Sequence, residues 1–572
     1  TSILSENRPT WLDDLVIVRS SSQSEDSNIQ SLAGHYVSVG NIQGNKHLES
    51  AINSVVESYT DNNQDNLIFI QPFLTNVERS GVAFTLDPNN ASHYYVINYD
   101  EETGSTNTVT DGSSNNLNTL YFSKHDKHTD KKWLIKLIDL LKELEEYFNS
   151  DSLDIEFAFD KSNVLYLFQV RPLILRNKQK VTIQRHKKML QRVEEHYHTL
   201  SKPHPYLLGK KSIFGVMPDW NPAEIIGIRP RPLALSLYKK LITDRNWSYQ
   251  RNNYGYRNLR SFPLLVTFSG LPYIDVRVSF NSFVSNDLDE SLANKLVEYY
   301  IDRLEKNPSS HDKVEFEIIY SCYTLDLPER ISILESNSFS KNECKKISSS
   351  LRKLTNNVIS GKDALWKKDI KKIDKLKIRQ KTILSSQLSK IEKIFWLLED
   401  CGRYGTLPFA GLARAGFIAL QILKSMISTQ ILTVDEYDSF MASLKTVSTG
   451  LSDDIASLSK NNFLNKYGHL RPGTYDILSS RYDIEPSKYF EWNDAVSDKN
   501  DTEHKDFSLS KDSMNRLNHL LSEHKLEVDA KELLKFIKGA IEGREYAKFI
   551  FTKSLSDSLE LVKQLGNEHG IS

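Results

Sequence analysis

Cysteine is nearly absent from this chain of 572 residues: Cys322, Cys344 and Cys401 are the only three, far apart and odd in number. That excludes a disulfide framework and a cysteine-rich zinc site, and it fits a reducing compartment, read here as the cytoplasm. Charge of either sign is not in excess, with 73 Lys and Arg against 74 Asp and Glu. No global field therefore recruits nucleic acid or an anionic membrane, and any anion binding has to be local. No apolar run approaches the roughly 20 residues of a membrane-spanning helix, and the N-terminus has neither a basic region nor a hydrophobic one of the secretory kind. Internal repeats are also lacking. The first residue is Thr1 rather than Met, as expected of processing or of an incomplete reading frame.

What is present is enough apolar material, 39% of residues, to build about three or four cores from a chain of this length. Up to about residue 175, short β-rich runs at 15–18, 67–70, 81–85, 94–98, 155–159 and 164–170 alternate with helical periods at 48–59 and 132–148. In the second helix Leu134, Leu137, Ile138, Leu141, Leu144 and Phe148 recur at three- and four-residue spacing, so one stripe is buried. This predicts an α+β domain with a largely antiparallel sheet. A basic amphipathic stretch at 178–198 reads as its helical exit. Residues 205–285, rich in proline and aromatics, predict a compact irregular segment. From about 288 to 460 the pattern is helical, including a single charged helix over 362–398 with Trp366, Ile370, Ile373, Leu384, Leu388, Ile391, Phe395 and Leu398 as its stripe. Its lysines, Lys367, Lys368, Lys371, Lys372 and Lys375, read as a solvated face. A polar loop at 500–510 and a helix at 531–564 complete the pattern.

The most informative segment is Asp154-Ile155-Glu156-Phe157-Ala158, followed by Gln169-Val170-Arg171-Pro172. Side chains in a strand repeat every two residues, so Asp154 and Glu156 share one face, as do Gln169 and Arg171 on the neighbouring strand. Hard oxygen ligands beside a forked cation suit a magnesium-bound polyphosphate. An ordinary solvated polar hairpin has the same pattern, and this segment alone leaves both readings open. Upstream, Arg19-Ser20-Ser21 ends a strand and opens a hydroxyl-rich loop with Glu25-Asp26 and Ser31-Leu32-Ala33-Gly34. Such a loop offers donors to an anion, with Arg19 as the charged anchor; a surface turn is the alternative. Between them lie Ile70-Gln71 and the run from Ser80-Gly81 to Asp87-Pro88, either of which alone could be sheet core.

Together and in order, these segments resemble the ATP-grasp nucleotide-binding domain of the phosphoenolpyruvate synthase and pyruvate phosphate dikinase family over about 160 residues. The resemblance implies that Glu156 and Gln169 hold magnesium, that Arg19 and Arg171 clamp phosphates and are catalytic, and that the Gln71 strand borders adenine. It implies nucleotide contacts at Arg19, Ser20, Gln71, Ser80, Gly81, Asp154 and Arg171, with ATP and Mg2+ as cofactors. In this family ATP is split to AMP and inorganic phosphate while the β-phosphoryl group travels on a carrier histidine to a distant acceptor. Two departures stand out. The family's Gly-Leu-Gly-Glu segment is replaced by Asn98-Tyr99-Asp100-Glu101-Glu102-Thr103-Gly104 and Val109-Thr110-Asp111-Gly112. Neither the lid subdomain with its phosphate-binding lysine nor the carrier-histidine domain is visible, although Glu542-Gly543-Arg544-Glu545-Tyr546-Ala547-Lys548 resembles the helix preceding that carrier. A fragment trimmed at both ends is the expectation.

The expected organisation is an ATP-grasp domain at 1–175, a linker helix with the proline- and aromatic-rich segment at 176–285, and a mainly helical acceptor-binding region at 286–572. Candidate acceptor residues are Asn221, Glu224, Arg251, Asp275, Arg277, Arg403 and His469: Arg for a carboxylate, Asp or Glu for an ammonium. About half of such charged groups are expected in buried ion pairs. None of the 15 histidines sits in a recognisable carrier loop, and His469 reads as a structural or acceptor-site residue rather than a phosphocarrier. The set resembles the L-glutamine kinase branch, which makes a small polar acceptor, L-glutamine, the expected partner, with neither nucleic acid nor membrane; oligomeric state is open. Alternatives are a pyruvate-type or antibiotic acceptor, or an ATP-binding remnant without catalysis.

Overall fold

Two antiparallel sheets organise the first of two units into which the chain divides, Thr1–Arg192 and Val193–Ser572. The computed structural model describes residues 9–21, 37–59, 66–104, 117–125, 129–175, 181–361, 364–491 and 507–571. The smaller sheet has the order β2-β1-β3, from β1 (Val16–Ser21), β2 (Val39–Ile42) and β3 (Leu67–Pro72). Helix α1 (Asn45–Ser58) packs Leu48, Ala51 and Val55 on Val16 and Val18 of β1. Alternation sends Ile17 and Arg19 to the opposite face, in register with Gln71 and Phe69 of β3. The Tyr59 hydroxyl accepts from the Ser21 N–H at 3.0 Å and donates to the Leu67 carbonyl at 2.6 Å, tying the end of β1 to the start of β3.

The larger sheet has the order β6-β5-β4-β7-β8: β4 (Val77–Phe84), β5 (Tyr94–Asp100), β6 (Asn118–Ser123), β7 (Leu153–Asp160) and β8 (Leu165–Pro172). Helix α2 (Lys132–Tyr147) covers one face, burying Leu134, Leu137, Ile138, Leu141 and Leu144 against Ile97, Ile155, Phe157 and Phe159. The predicted stripe is thus the buried one, except that Phe148 lies past the helix end and is exposed. β2 and β6 were not expected; both are short, and their sequences, VGNI and NTLYFS, carry little apolar alternation. The exit helix α3 is Ile183–Ser201.

Gly81 was expected to open its strand, yet it lies inside β4, paired with Tyr99 on one side and Phe157 on the other. A Cβ there would stand 2.2 Å from the Asn98 carbonyl oxygen and 2.9 Å from Tyr99 Cα, so only glycine lets β4 and β5 approach this closely. Gly81→Ala is expected to destabilise the first unit by about 1–3 kcal/mol through forced displacement of β5. Thermal unfolding measures this, and an unchanged transition contradicts it.

In the second unit, residues 205–285 hold only short elements, among them helices Pro232–Tyr238, Asn246–Asn253 and Val276–Asn281 and a hairpin of Leu265–Phe268 with Leu271–Asp275. The remainder is helical, centred on Leu407–Ser428, which packs on Ala530–Glu568, Leu365–Ser385 and Asn246–Asn253. The single helix expected over 362–398 is instead two, Leu365–Ser385 and Lys390–Asp400. The second starts in a capping box: Ser389 Oγ accepts from the Glu392 N–H, and Glu392 accepts from the Ser389 N–H at 2.8 Å. The break turns the stripe outward, so Trp366 and Ile373 are buried whereas Ile391 and Phe395 are 68% and 53% exposed. The Gly-containing segment at Arg403 is a π-helical turn, Cys401–Thr406. The stretch Lys390–Ser428 contains an 18-residue window of mean hydropathy 1.4, apolar enough by length and composition to cross a membrane, but 72% of it is buried in the core of this unit. There Arg414 forms a fully buried ion pair with Glu315, and Gln421 donates to Ser321 Oγ at 2.9 Å. The polar stretch 500–510 lies largely outside the described residues.

Candidate functional site

The β7-β8 pair sets Asp154 opposite Arg171 and Glu156 opposite Gln169. Leu153, Ile155, Phe157 and Phe159 turn into the core beneath α2, which leaves Asp154 and Glu156 on the other face. The register shifts between Glu156 and Phe157, whose partner is Leu167, so Phe168 is an extra residue on β8. A bulge at that point adds twist and re-aims the strand next to the polar pair.

On this face Arg171 Nη2 donates to Glu156 Oε1 at 2.7 Å and to the carbonyl oxygen of Gln169. A guanidinium only donates, so it fixes Gln169 with its oxygen rather than its NH2 towards the cluster. Arg19, from the smaller sheet, brings Nη2 to 3.6 Å from Glu156 Oε2. One carboxylate is therefore held between two guanidiniums supplied by two sheets. Asp154 Oδ1 is buried and has no hydrogen-bond partner. Burial pushes its carboxyl up to about 6, opposed by Arg171 and reinforced by Glu156.

These residues fit a hard cation. Glu156, the Gln169 carbonyl and the orphaned Asp154 oxygen form an all-oxygen donor set on adjacent strands, and Arg171 sits where positive charge is needed. The two arginines and two acids nearly cancel, so a polyphosphate entering here adds negative charge that a bound cation has to offset.

The structure brings Arg19, Glu156, Gln169 and Arg171 together, with Asp154 adjacent. Ser80 lies on the same face of the sheet, one step along β4, since Ser80 pairs with Ala158 and Val82 with Glu156. Gln71 borders the open face of the smaller sheet beside Ile17, with Phe69 53% exposed opposite Arg19. Two expected contacts point elsewhere. Alternation puts Ser20 on the α1 side with Val16 and Val18, and Gly81 on the α2 side of its sheet, where close strand approach accounts for it. The loop residues Glu25, Asp26 and Ser31 to Gly34, and Val109 to Gly112, lie outside the described residues.

Sequence reasoning missed Thr85 and Asp87. Thr85 Oγ1 donates to the Asp151 carbonyl at 2.8 Å and accepts from the Leu153 N–H at 2.7 Å, pinning the end of β4 to the start of β7. Asp87 accepts from the Asn89 N–H and Asn90 Nδ2, both at 2.9 Å, to close the turn. A hydroxyl and a carboxylate just before proline were the available signal.

The seven acceptor candidates do not gather into one cluster in the second unit. Asn221, in a left-handed conformation at φ 42°, donates to the exposed Glu224 at 2.7 Å. Arg251 is buried in a bidentate pair with Asp219 at 2.8 and 2.7 Å, donates to Ser282 Oγ at 2.6 Å and lies 4.2 Å over the Phe283 ring. Asp275 caps helix Val276–Asn281 through the Val278 N–H at 3.1 Å and accepts from Ser212 Oγ at 2.5 Å; burial nevertheless raises its pKa. Arg277 donates to the Leu200 and Lys202 carbonyls, each at 2.8 Å, closing the C-terminal end of α3. Arg403 is exposed beside Glu399 at 3.5 Å. Asn221 is joined to Glu224, and Asp275 to Arg277, whose backbone N–H also donates to Ser212 Oγ at 3.3 Å; these two pairs lie in different networks. Arg251, Asp275 and Arg277 are occupied in holding the fold.

His469 is buried, with Nε2 3.2 Å from the Phe549 carbonyl, and its pKa is lowered to about 4, chiefly by burial and then by Lys553. The carbonyl accepts, so Nε2 carries the proton and the ring is neutral. The native state then binds fewer protons than the unfolded chain between pH 4 and 6.5. Stability from this group is complete above about pH 6.5 and declines as pH falls towards 4. Between pH 7.5 and 5 this amounts to about 2 kcal/mol. Urea titrations of wild type and His469→Gln are expected to differ in pH dependence by that amount, and identical pH dependence contradicts the assignment.

Residues 4–133 match the family described as pyruvate phosphate dikinase, AMP/ATP-binding domain. The match takes in Arg19, Gln71, Ser80 and Gly81 and ends before β7 and β8, so the acidic half of the cluster stands on its own geometry. No curated protein matches the chain.

Proposed function

We propose that the first unit binds ATP with magnesium and that the protein is a dikinase-type phosphotransferase. ATP is split to AMP and inorganic phosphate, and the phosphoryl group passes through a carrier histidine to a small polar acceptor, with the L-glutamine amide as the candidate. The observation that carries this reading is Glu156 held between Arg19 and Arg171 beside the Gln169 carbonyl, in a unit whose residues 4–133 match an AMP/ATP-binding domain.

Magnesium would be held by Glu156 and Gln169, with Asp154 close by, and would supply charge neutralisation on the phosphates. The chain's own part is positioning. Arg171 and Arg19, which face Glu156 here, would turn their forks to phosphate oxygens, exchanging a charge-assisted bond to carboxylate for one to phosphate. The exposed Phe69 and the Gln71 strand offer an apolar shelf and backbone edge to the base. A positive cluster prepared in this way acts by orientation and electrostatics, which is most of what phosphoryl transfer asks of a protein.

A second reading of the acceptor, a bulkier molecule, is favoured by the cavity of about 760 Å³ between the long helices Leu365–Ser385 and Ala530–Glu568 and by the engagement of Asp275 and Arg277 in a network apart from Glu224. Phosphorus NMR of the protein with ATP and a panel including glutamine and pyruvate tests the reading. AMP release with a new phosphorus-nitrogen or phosphorus-oxygen signal names the acceptor. ATP left intact with every acceptor counts against phosphotransfer.

A further inference from the structure

The cavity in the second unit has a chemistry of its own. Its walls come from four elements: Leu384 on Leu365–Ser385, Val447 on Val447–Ser457, Tyr467 on Lys460–Tyr467, and Phe549 with Ile550 on Ala530–Glu568. At about 760 Å³ it is in the range of small-molecule sites, roughly 300–1,000 Å³.

Its charged lining is lopsided, with five lysines and one acid, Glu542. Lys466 is neutralised by Asp454 at 2.5 Å and Lys553 by Asp557 at 2.7 Å. Glu542 accepts from the Lys445 backbone N–H at 2.8 Å and keeps its single negative charge. Lys377, Lys381 and Lys445 remain, with no ion pair among the described residues. Lys377 and Lys381 are one helical turn apart on the same face, where like charges repel. His469, neutral as argued above, adds no charge. Solvated lysines are ordinary on a helix. Three such lysines, two on Leu365–Ser385 and Lys445 just before Val447–Ser457, line this apolar-walled cavity and outnumber Glu542, giving an amphipathic surface with net positive charge.

We propose that this cavity is a binding site for a small amphipathic anion: an aryl or acyl body seated against Leu384, Val447 and Phe549, with a carboxylate, sulfonate or phosphate head at Lys377, Lys381 and Lys445. The inference rests on the second unit alone and holds whether or not ATP is turned over. The probes are anilinonaphthalene sulfonate, which carries such a head, and phenylnaphthylamine, a similar aryl amine without it. Fluorescence titration of the whole chain is expected to give saturable binding of the sulfonate at one site, weakening as salt is raised.

Lys377→Glu with Lys381→Glu is expected to weaken the sulfonate about tenfold or more and leave phenylnaphthylamine within about twofold. Leu384→Asp is expected to weaken both probes. Circular dichroism and thermal unfolding check that the variants keep the wild-type fold. The proposal is overturned if the sulfonate shows no saturable site, if the lysine variant binds it as wild type does, or if phenylnaphthylamine weakens in parallel with it. Failure to turn over ATP leaves these outcomes unchanged, so the two readings fail separately.

Discussion

Glu156→Ala is expected to abolish ATP-dependent AMP formation, by about 100-fold or more, while nucleotide binding stays within a few-fold of wild type. The two effects separate because Glu156 does two things. It accepts from Arg171 at 2.7 Å and faces Arg19 at 3.6 Å, so removing it frees two guanidiniums for phosphate. On the proposed reading it is also an oxygen donor for the cation, and the alanine supplies none. Phosphate binding is therefore preserved and productive charge neutralisation is lost. Steady-state AMP production, measured beside calorimetric ATP affinity, checks both halves. Retained AMP formation would place the cation elsewhere.

Arg251→Met is expected to cost stability rather than to change acceptor affinity. Arg251 and Asp219 have side chains only 7% and 6% exposed, and their bidentate pair is shared by Ser279 and Ser282. Breaking such a pair leaves an uncompensated buried carboxylate, a loss of about 3–5 kcal/mol. Arg251→Met combined with Asp219→Leu should recover much of it, because the orphaned charge is gone. Urea denaturation of the single and double variants measures this. A stable Arg251→Met protein would return Arg251 to the acceptor candidates.

The shared face of Asp154 and Glu156 was legible because strand alternation allowed little else. With Ile155, Phe157 and Phe159 committed to the core beneath α2, Asp154 and Glu156 had to share the other face. Arg19 reaching Glu156 was not legible as geometry, since it depends on how one sheet meets another and on the Phe168 bulge, neither of which is written in local periodicity. Arg251, Asp275 and Arg277 show the converse limit. A charge among aromatics reads the same whether it awaits a ligand or closes a buried network, and only the partner, Asp219, Ser212 or the carbonyls ending α3, distinguishes them. The break before Lys390 was marked by Ser389 and Glu392 at capping-box spacing, but the apolar period ran across it and hid the signal.

The central claim is that Arg19 and Arg171, with Glu156 between them, form the phosphate end of a nucleotide site. Calorimetric titration of magnesium ATP into wild type and into the Arg19→Ala, Arg171→Ala double variant tests it most directly. Saturable binding in the wild type and a loss of about 100-fold or more in the double variant, with the fold retained, is the predicted result. Equal affinity in the two proteins would contradict it.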